Sequence, residues 1–574
     1  MTGTTPEPRS PFALDVIYYA TAIGFALYMF YYYWTGAGGE TLLAMEVIPI
    51  VYVLFTLQSL RTNELYPALP RAANYAIAAV YCVFSIYCSY YMTTNYISLG
   101  TERSGMPDNA DLIVGGLMTL LVIEYARKRH IPLFILNIIL ILYAVYGNWV
   151  PGMFHHAGMH WTRVIAASSV EMETGIFSRL PQIALTVIGS FLLVLSLLRG
   201  FGCVDSLLRA TKRAAVRSPH AIPQSAVIGS MAIGTISGSG AANSITVGSA
   251  TIPAMIQAGL PPATAAAIEN ASSMGGQLMP PVMGIAAFLM AEFLGVDYFD
   301  VVARGWVPAL IYYISVSTSV YLLATFYHTQ MIVDPTAQKL DRRDKINLGA
   351  FIFVVGGLIA LMGGMLGLLI DIPILGAVLR WLKMDGGYIA PMFAALYMFC
   401  AAGCGLLVIH IASMLRHWSF REFIAPLKGV LDSYIDMITD IALLLATLSV
   451  MTGALVITGV PTKLGALLIE AGGVNMAAMV GMAFIFGAIL GTGLPPAPVY
   501  ILVVIVIGPP FIHAGVNPWV VNFFAFFIGV FGELTPPTSI TAAITSKIAN
   551  ASFYTTLWRS VQICVSLFTL MAAV

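Results

Sequence analysis

Apolar runs of about 17 to 25 residues recur along nearly the whole chain, each long enough to span a bilayer as a helix. Lipid offers no partner for an exposed N–H or C=O, so such runs take the form that satisfies its backbone internally, the helix. The 574 residues are 59% hydrophobic and only 9% charged, where a soluble chain has about a quarter of its residues charged. The expected fold class is therefore an all-α integral membrane protein that lives in a lipid bilayer. The formal net charge is zero, which gives nucleic acid no electrostatic footing. The six cysteines (Cys82, Cys88, Cys203, Cys400, Cys404, Cys564) lie mostly within apolar runs and read as packing residues, not as a disulfide framework. The polar start, Met1 to Pro11, lacks a cleavable signal pattern, so the first span reads as an uncleaved anchor.

Spans are expected at about 14–34, 42–60, 72–95, 111–127 and 131–149, then a polar, partly amphipathic stretch at 150–180 and a span at 181–199. A basic connector follows with Arg199, Arg209, Lys212, Arg213 and Arg217. Further spans are expected at 303–327, 348–370, 388–413 and 431–459, and a last helix from 555 to the end. Two segments, 222–296 and 476–550, stand apart. The first reads Gly259-Leu260-Pro261-Pro262 and later Gly276-Gln277-Leu278-Met279-Pro280-Pro281; the second reads Gly515-Val516-Asn517-Pro518 and later Gly532-Glu533-Leu534-Thr535-Pro536-Pro537. Both glycine pairs match at one offset, 256 residues (515 − 259 and 532 − 276). Paired Gly/Pro interruptions in two halves of a membrane protein point to the substrate site of a secondary transporter.

Lys and Arg orient the map. With the N-terminus cytoplasmic, alternation places inside Arg61, Arg71, Arg127-Lys128-Arg129, the connector at 199–217, the loop with Lys339, Arg342, Arg343 and Lys345, and Arg416, Arg421 and Lys428. This requires 222–254 and 476–509 to be re-entrant hairpins, the first reaching in from the cytoplasm and the second from outside. The repeats are then inverted.

The first hairpin holds Gly234-Thr235-Ile236-Ser237-Gly238-Ser239-Gly240-Ala241-Ala242-Asn243-Ser244. Glycine permits a turn and close approach, and the hydroxyls and amide can replace the water of an ion or substrate. Two half-helices meeting at such a tip would aim backbone N–H groups at an anion. Small residues in lipid also serve close helix packing, but packing alone does not require Gly-Gly and Pro-Pro at matched distances. Pro280 and Pro281 lack N–H groups and unwind the partner span, beside Ser272, Gly275, Gly276 and Gln277. Freed carbonyls there are hard oxygen ligands for a small cation; a kink without ligand is the alternative. The second hairpin reads Gly491-Thr492-Gly493-Leu494-Pro495-Pro496-Ala497-Pro498, with Glu533, Thr535, Pro536, Pro537 and Thr538 in its partner span. Glu533 takes the place of Gln277. A carboxylate at membrane depth is a functional hypothesis by default: a cation ligand, a proton carrier, or a structural acceptor of backbone N–H groups. His156 and His160 are four apart, as helical metal ligands are, but no acidic or Cys ligand accompanies them, and no metal site is expected. No phosphate-binding loop appears, so ATP is not the evident energy source.

The runs Gly234–Ser239, Ile252-Pro253, Gly275–Gly284 and Phe288-Leu289-Met290-Ala291-Glu292-Phe293-Leu294-Gly295 resemble the fused permeases of tripartite ATP-independent periplasmic (TRAP) transporters, of the 4TM/12TM type, in the branch with TAXI-type binding proteins. The similarity runs from about Thr174-Gly175-Ile176-Phe177 to Phe553. It implies a bacterial or archaeal cytoplasmic (inner) membrane permease, not an enzyme, taking an organic anion, usually a carboxylate, from an extracytoplasmic solute-binding protein. It also implies an elevator mechanism and symport with a cation gradient, Na+ or H+, and no other cofactor. The chain would divide into a small-subunit-like region at 1–150, a linker, first span and connector at 151–220, a first repeat at 221–330, scaffold helices at 331–475 and a second repeat at 476–574. The family's ion and substrate positions map onto Ser237, Ser239 and Asn243, onto Gly275-Gly276-Gln277, onto Thr492-Gly493 and onto Glu533–Thr535, with Ser244, Ser272 and Thr538 beside them. Pro496, Ala497 and Pro498 stand where relatives often carry hydroxyl residues, as do Gly240 and Met274, which removes oxygen ligands.

Two other readings remain at this point: a stand-alone ion-coupled carboxylate transporter of the wider superfamily, and a membrane-embedded enzyme using Glu533 or the His cluster. The extra N-terminal spans speak against the first, and the matched hairpins are unexplained by the second. The charge map predicts that a cysteine placed at Leu340 is labelled from the cytoplasmic side and one at Gly472 from outside; the reverse labelling would overturn the orientation.

Overall fold

The computed structural model describes residues 12–215, 220–330, 340–364, 389–415, 419–472, 476–491, 494–535 and 539–573. Every element among them is a helix, and eleven helices are long and apolar enough to cross a membrane. Arg217, Lys339 and Arg416 of the charge map lie outside the described residues. The six cysteines are free; Cys88, Cys203 and Cys564 are buried, whereas Cys404 is exposed. The chain divides into two compact units, Met1–Leu192 with Leu431–Thr458, and Leu193–Val430 with Gly459–Val574.

In the first unit the five expected spans form as helices Phe12–Thr35, Gly39–Arg61, Arg71–Thr94, Asn109–Arg129 and Ile131–Tyr146. Helix Phe420–Thr458, of 39 residues, belongs to this unit from Leu431 onward and begins well before the expected span at 431. At 1.5 Å per residue it is about 58 Å long, against about 30 Å of hydrocarbon. Its early turns carry Arg421, Glu422 and Lys428, and helix geometry continues through this charged sequence where a loop was expected. Asp432, Asp436 and Asp440 are four residues apart and so share one face. Each meets a donor from the N-terminal helices: Tyr19 Oη at 3.4 Å, Gln58 Nε2 at 2.7 Å and Tyr125 Oη at 2.6 Å respectively. Arg61 pairs with Asp15 at 2.7 Å and Arg129 with Glu64 at 3.4 Å, so these basic helix ends gather on one side of the unit. Arg179 and Glu40 pair at its other end.

In the second unit the Gly/Pro pattern becomes geometry. The first hairpin consists of antiparallel arms Ala221–Ser237 and Gly240–Gln257, and the second of Met476–Gly491 and Pro496–His513. Each inner arm ends alike. Gly259 N donates to Ile256 O and Leu260 N to Met255 O; Gly515 N donates to Ile512 O and Val516 N to Phe511 O. Both glycines are left-handed (φ 103° and 88°), as this helix ending requires. Pro262 and Pro518 then open the next helices, Pro262–Met274 and Pro518–Gly532, where the missing N–H is not needed. Both helices break as expected. The first passes through a 3₁₀ turn at Gly275–Gln277 and resumes at Ile285–Leu294; the second resumes at Ile540–Ala549.

Two further expectations are corrected. The span set at 348–370 begins earlier, at Arg342, because Asp341 and Asp344 form a capping box there; its residues 365–370 lie outside the described residues. The last helix is two, Phe553–Ile563 and Val565–Ala573, divided at the buried Cys564, whose Sγ is 3.3 Å from Tyr312 Oη.

Glycine lets each hairpin touch its broken helix backbone to backbone. A Cβ on Gly276 would stand 3.0 Å from Gly234 Cα, and one on Gly532 2.9 Å from Gly491 Cα. Neither helix can yield without moving its backbone. Gly491→Ala would place its Cβ 2.5 Å from Gly532 Cα, whereas Gly481→Ala on the same helix meets nothing within 4 Å. Crowding of this kind costs about 1–3 kcal/mol, and alanine in an open helical position gains about 1 kcal/mol over glycine. Thermal unfolding of the full chain should show a lowered Tm for Gly491→Ala and an equal or raised Tm for Gly481→Ala; equal effects would refute the close contact.

Candidate functional site

The second unit brings three chain segments to one point. Gly238, left-handed at φ 55°, ends the outer arm of the first hairpin, and a Cβ there would run into Met283 O. Ser239 caps the inner arm, its Oγ accepting from Ala242 N at 3.3 Å. The first residue of that arm, Gly240, packs against both breaks: a Cβ on it would lie 2.8 Å from Gln277 Nε2, 3.0 Å from Glu533 Oε2 and 3.0 Å from Thr541 Cγ2. Gln277 Nε2 donates to Glu533 Oε2 at 2.9 Å across a sequence separation of 256 residues, the repeat offset itself. The two equivalent positions of the two repeats are thus hydrogen-bond partners.

The surrounding backbone concentrates positive potential there. Helix Gly240–Gln257 begins at this point and so does Ile540–Ala549, capped by Ser539 Oγ accepting from Ala542 N at 3.1 Å. Two helix N-termini, each carrying roughly half a positive charge, therefore converge beside a single carboxylate. Glu533 is partly buried and closes helix Pro518–Gly532, its own N–H bonded to Val530 O at 3.2 Å.

The other candidates separate into those near the tip and those turned away. Ser237 Oγ and Asn243 Oδ1 are shielded and have no hydrogen-bond partner among the described residues. Asn243 Nδ2 donates to Ser230 O at 2.9 Å and Ser273 O at 3.5 Å, which holds the amide against Gly276. Thr535 Oγ1 donates to Gly532 O at 2.6 Å and lies 3.3 Å from the place of a Gly491 Cβ, beside the end of the second hairpin's outer arm. Ser244 is buried, its hydroxyl without a partner among the described residues, and Ser272 bonds back to Ile268 O at 2.7 Å. Thr492, Gly493, Pro536, Pro537 and Thr538 lie outside the described residues.

Tyrosines already occupy carbonyls of the first break that the sequence suggested as cation ligands. Tyr312 Oη donates to Ala271 O at 2.7 Å, Tyr313 Oη to Ser272 O at 3.1 Å, and Tyr298 Oη to Pro281 O at 3.0 Å and to Val282 O. Gly275 is where it is because a Cβ would stand 2.5 Å from the Tyr312 ring. Pro280 and Pro281, joined by a cis peptide, lie in the loop closed by Gly284 N donating to Gln277 O at 2.9 Å. Sequence reasoning passed over Thr541, these tyrosines and Glu269. Two adjacent tyrosines in an apolar span were a usable signal, because buried hydroxyls need partners; so was Glu269, a second carboxylate in apolar sequence.

The histidines have structural duties. His156 Nε2 is 3.0 Å from Tyr143 O and its Nδ1 accepts from Gly158 N at 3.1 Å; His160 Nδ1 caps helix Trp161–Ser168 through Thr162. Among the described residues, no three His, Cys, Asp or Glu side chains gather as metal ligands would.

No curated protein matches the chain. Residues 117–574 match the family described as tripartite ATP-independent periplasmic transporter, DctM component. The match reaches upstream of Thr174, into the helix Asn109–Arg129, and takes in both repeats. The chain belongs to the DctM family, the membrane component of TRAP transporters.

Proposed function

We propose that this chain is the permease of a binding-protein-dependent secondary transporter that imports an organic anion, a carboxylate, on a cation gradient by an elevator movement. A TAXI-type solute-binding protein delivers the small organic acid to its outer face, in the cytoplasmic membrane of a bacterium or archaeon. Residues 1–150 serve as the fused small-subunit part, 331–475 as scaffold, and the repeats at 221–330 and 476–574 carry the substrate.

The observation that carries this reading is the position of Glu533, bonded to Gln277 and facing Gly240, with two helix N-termini at the same place. Those N-termini suit a carboxylate ligand. Glu533 opposes one: two like charges about 4 Å apart repel by about 4 kcal/mol at an effective dielectric near 20, nearly a thousandfold in affinity. A carboxylate substrate therefore enters only with a cation that neutralises Glu533, and this requirement is symport. The cation is sodium if Glu533 acts with oxygens of Ser237, Ser239, Asn243 and Thr535, joined by those of Thr492, Gly493 and Thr538. It is a proton if Glu533 acts alone. Pro496, Ala497, Pro498, Gly240 and Met274 leave fewer neutral oxygens, so more of the coupling falls on the carboxylate.

Both variants below are measured in vesicles, with the binding protein loaded with the acid it retains on purification. Glu533→Gln should lower uptake at least about tenfold, or abolish its dependence on pH or on sodium; uptake unchanged on both counts removes Glu533 from the mechanism. Ser239→Trp should block the first hairpin tip and stop uptake at normal expression; normal transport would show that this tip does not line the path.

A further inference from the structure

Glu269 sits two turns ahead of the Gly275–Gln277 break, and its hydrogen-bond partners differ from the partner of Glu533. It is fully buried. Oε1 accepts from Ser230 Oγ and Ser273 Oγ, each at 2.9 Å, and Oε2 from Thr251 Oγ1 at 2.5 Å. The three hydroxyls come from the outer arm of the first hairpin, the helix of Glu269 itself, and the inner arm.

The two hairpin arms carry no ionisable side chain at all. On the other side, Tyr313 faces Glu269 and gives its hydroxyl to Ser272 O, and Tyr312 gives its own to Ala271 O and meets Cys564. Arg559 reaches Tyr327 at 3.5 Å, and Lys547 is exposed. No cation from these elements is among the partners of the carboxylate.

We propose that Glu269 is a proton-binding site, separate from the Gln277–Glu533 pair and built between the first hairpin and helix Pro262–Met274. Thr251 makes this possible, because its Oγ1 lies 3.0 Å from Val247 O as well as 2.5 Å from Glu269 Oε2. With Glu269 ionised, all three hydroxyls donate to the carboxylate. With a proton from bulk water on Oε2, that O–H donates to Thr251 Oγ1, and Thr251 turns its own hydrogen to Val247 O. Ser230 and Ser273 continue to donate to Oε1. Every polar atom of the shell is satisfied in both states, and one hydroxyl rotation separates them. The neutral state also removes an unpaired charge from the interior of the bundle. A sodium ion would need all three hydroxyls to turn their lone pairs inward and give up their bonds to the carboxylate. Ser230 and Ser273 also accept from Asn243 Nδ2 through their carbonyls, so the shell of this carboxyl adjoins a residue of the hairpin tip.

What this proton does for transport rests on the reading above; its binding does not, and protons and sodium alone serve as probes. Infrared spectra of the full chain in lipid vesicles should contain the carbonyl band of a protonated carboxylic acid that vanishes on alkaline titration. That band should be lost in Glu269→Gln, retained in Glu533→Gln and indifferent to added sodium. Thr251→Val keeps the carboxyl but removes its acceptor, so the band should move to higher frequency, which serves if Glu269→Gln does not fold. Identical bands at every pH in the wild type and Glu269→Gln would overturn the proposal. So would an unshifted band in Thr251→Val, or loss of the band on adding sodium at fixed pH. If the band behaves as expected while Glu533→Gln leaves uptake untouched, the proton site stands and the coupling role of Glu533 falls.

Discussion

The hydrogen bond between Gln277 and Glu533 is the contact on which the arrangement of the second unit turns. It joins the same position in two repeats, so it lies where the repeats' internal symmetry brings them together. Its length of 2.9 Å requires both broken helices and the first hairpin tip to be held closely. The glycine contacts do this, Gly234 against Gly276 and Gly491 against Gly532. A methyl group at any of them would press on backbone, and backbone does not yield as a side-chain end does.

Symmetry of the backbone is combined with asymmetry of charge. One repeat offers Gln277 at this point and the other Glu533, so a neutral donor and a carboxylate face each other where two copies of either would not pair as well. Two carboxylates would repel, and two amides would lack the charge that strengthens the hydrogen bond. The first repeat has its own carboxylate, Glu269, but keeps it two turns away inside a shell of hydroxyls. The second unit thus holds one carboxylate at the meeting point of the repeats and another between the first hairpin and helix Pro262–Met274, each with a different set of partners.

Much of this was legible in the sequence. Apolar run length gave the spans of the first unit to within a few residues, because lipid thickness sets helix length. Pro280-Pro281 and Pro536-Pro537 gave the two breaks, because proline lacks the N–H a helix needs, and the alternation of basic loops singled out the two hairpin segments. The pairing of Gln277 with Glu533 was visible as an alignment but not as a contact, since repeat equivalence does not say that equivalent residues touch. The length of helix Phe420–Thr458 was hidden because charged residues at a membrane edge read equally as loop or as helix continuing into water. The tyrosine caps on Ala271, Ser272 and Pro281 were hidden because they depend on which face of helix Tyr298–Phe326 meets the break, and periodicity in an all-round apolar helix does not reveal a face. The ladder Asp432, Asp436 and Asp440 was missed for a simpler reason: its four-residue spacing was present, but its donors Tyr19, Gln58 and Tyr125 lie more than 300 residues away.

The central claim is that positions 277 and 533 meet. The most direct measurement is chemical: cysteines at both positions, in a chain freed of its six native cysteines, joined by a short bifunctional thiol reagent and followed by cleavage of the chain between them. The structure predicts that the two fragments stay linked in the double variant and separate in each single variant. Fragments that separate in the double variant as readily as in the single ones would contradict it.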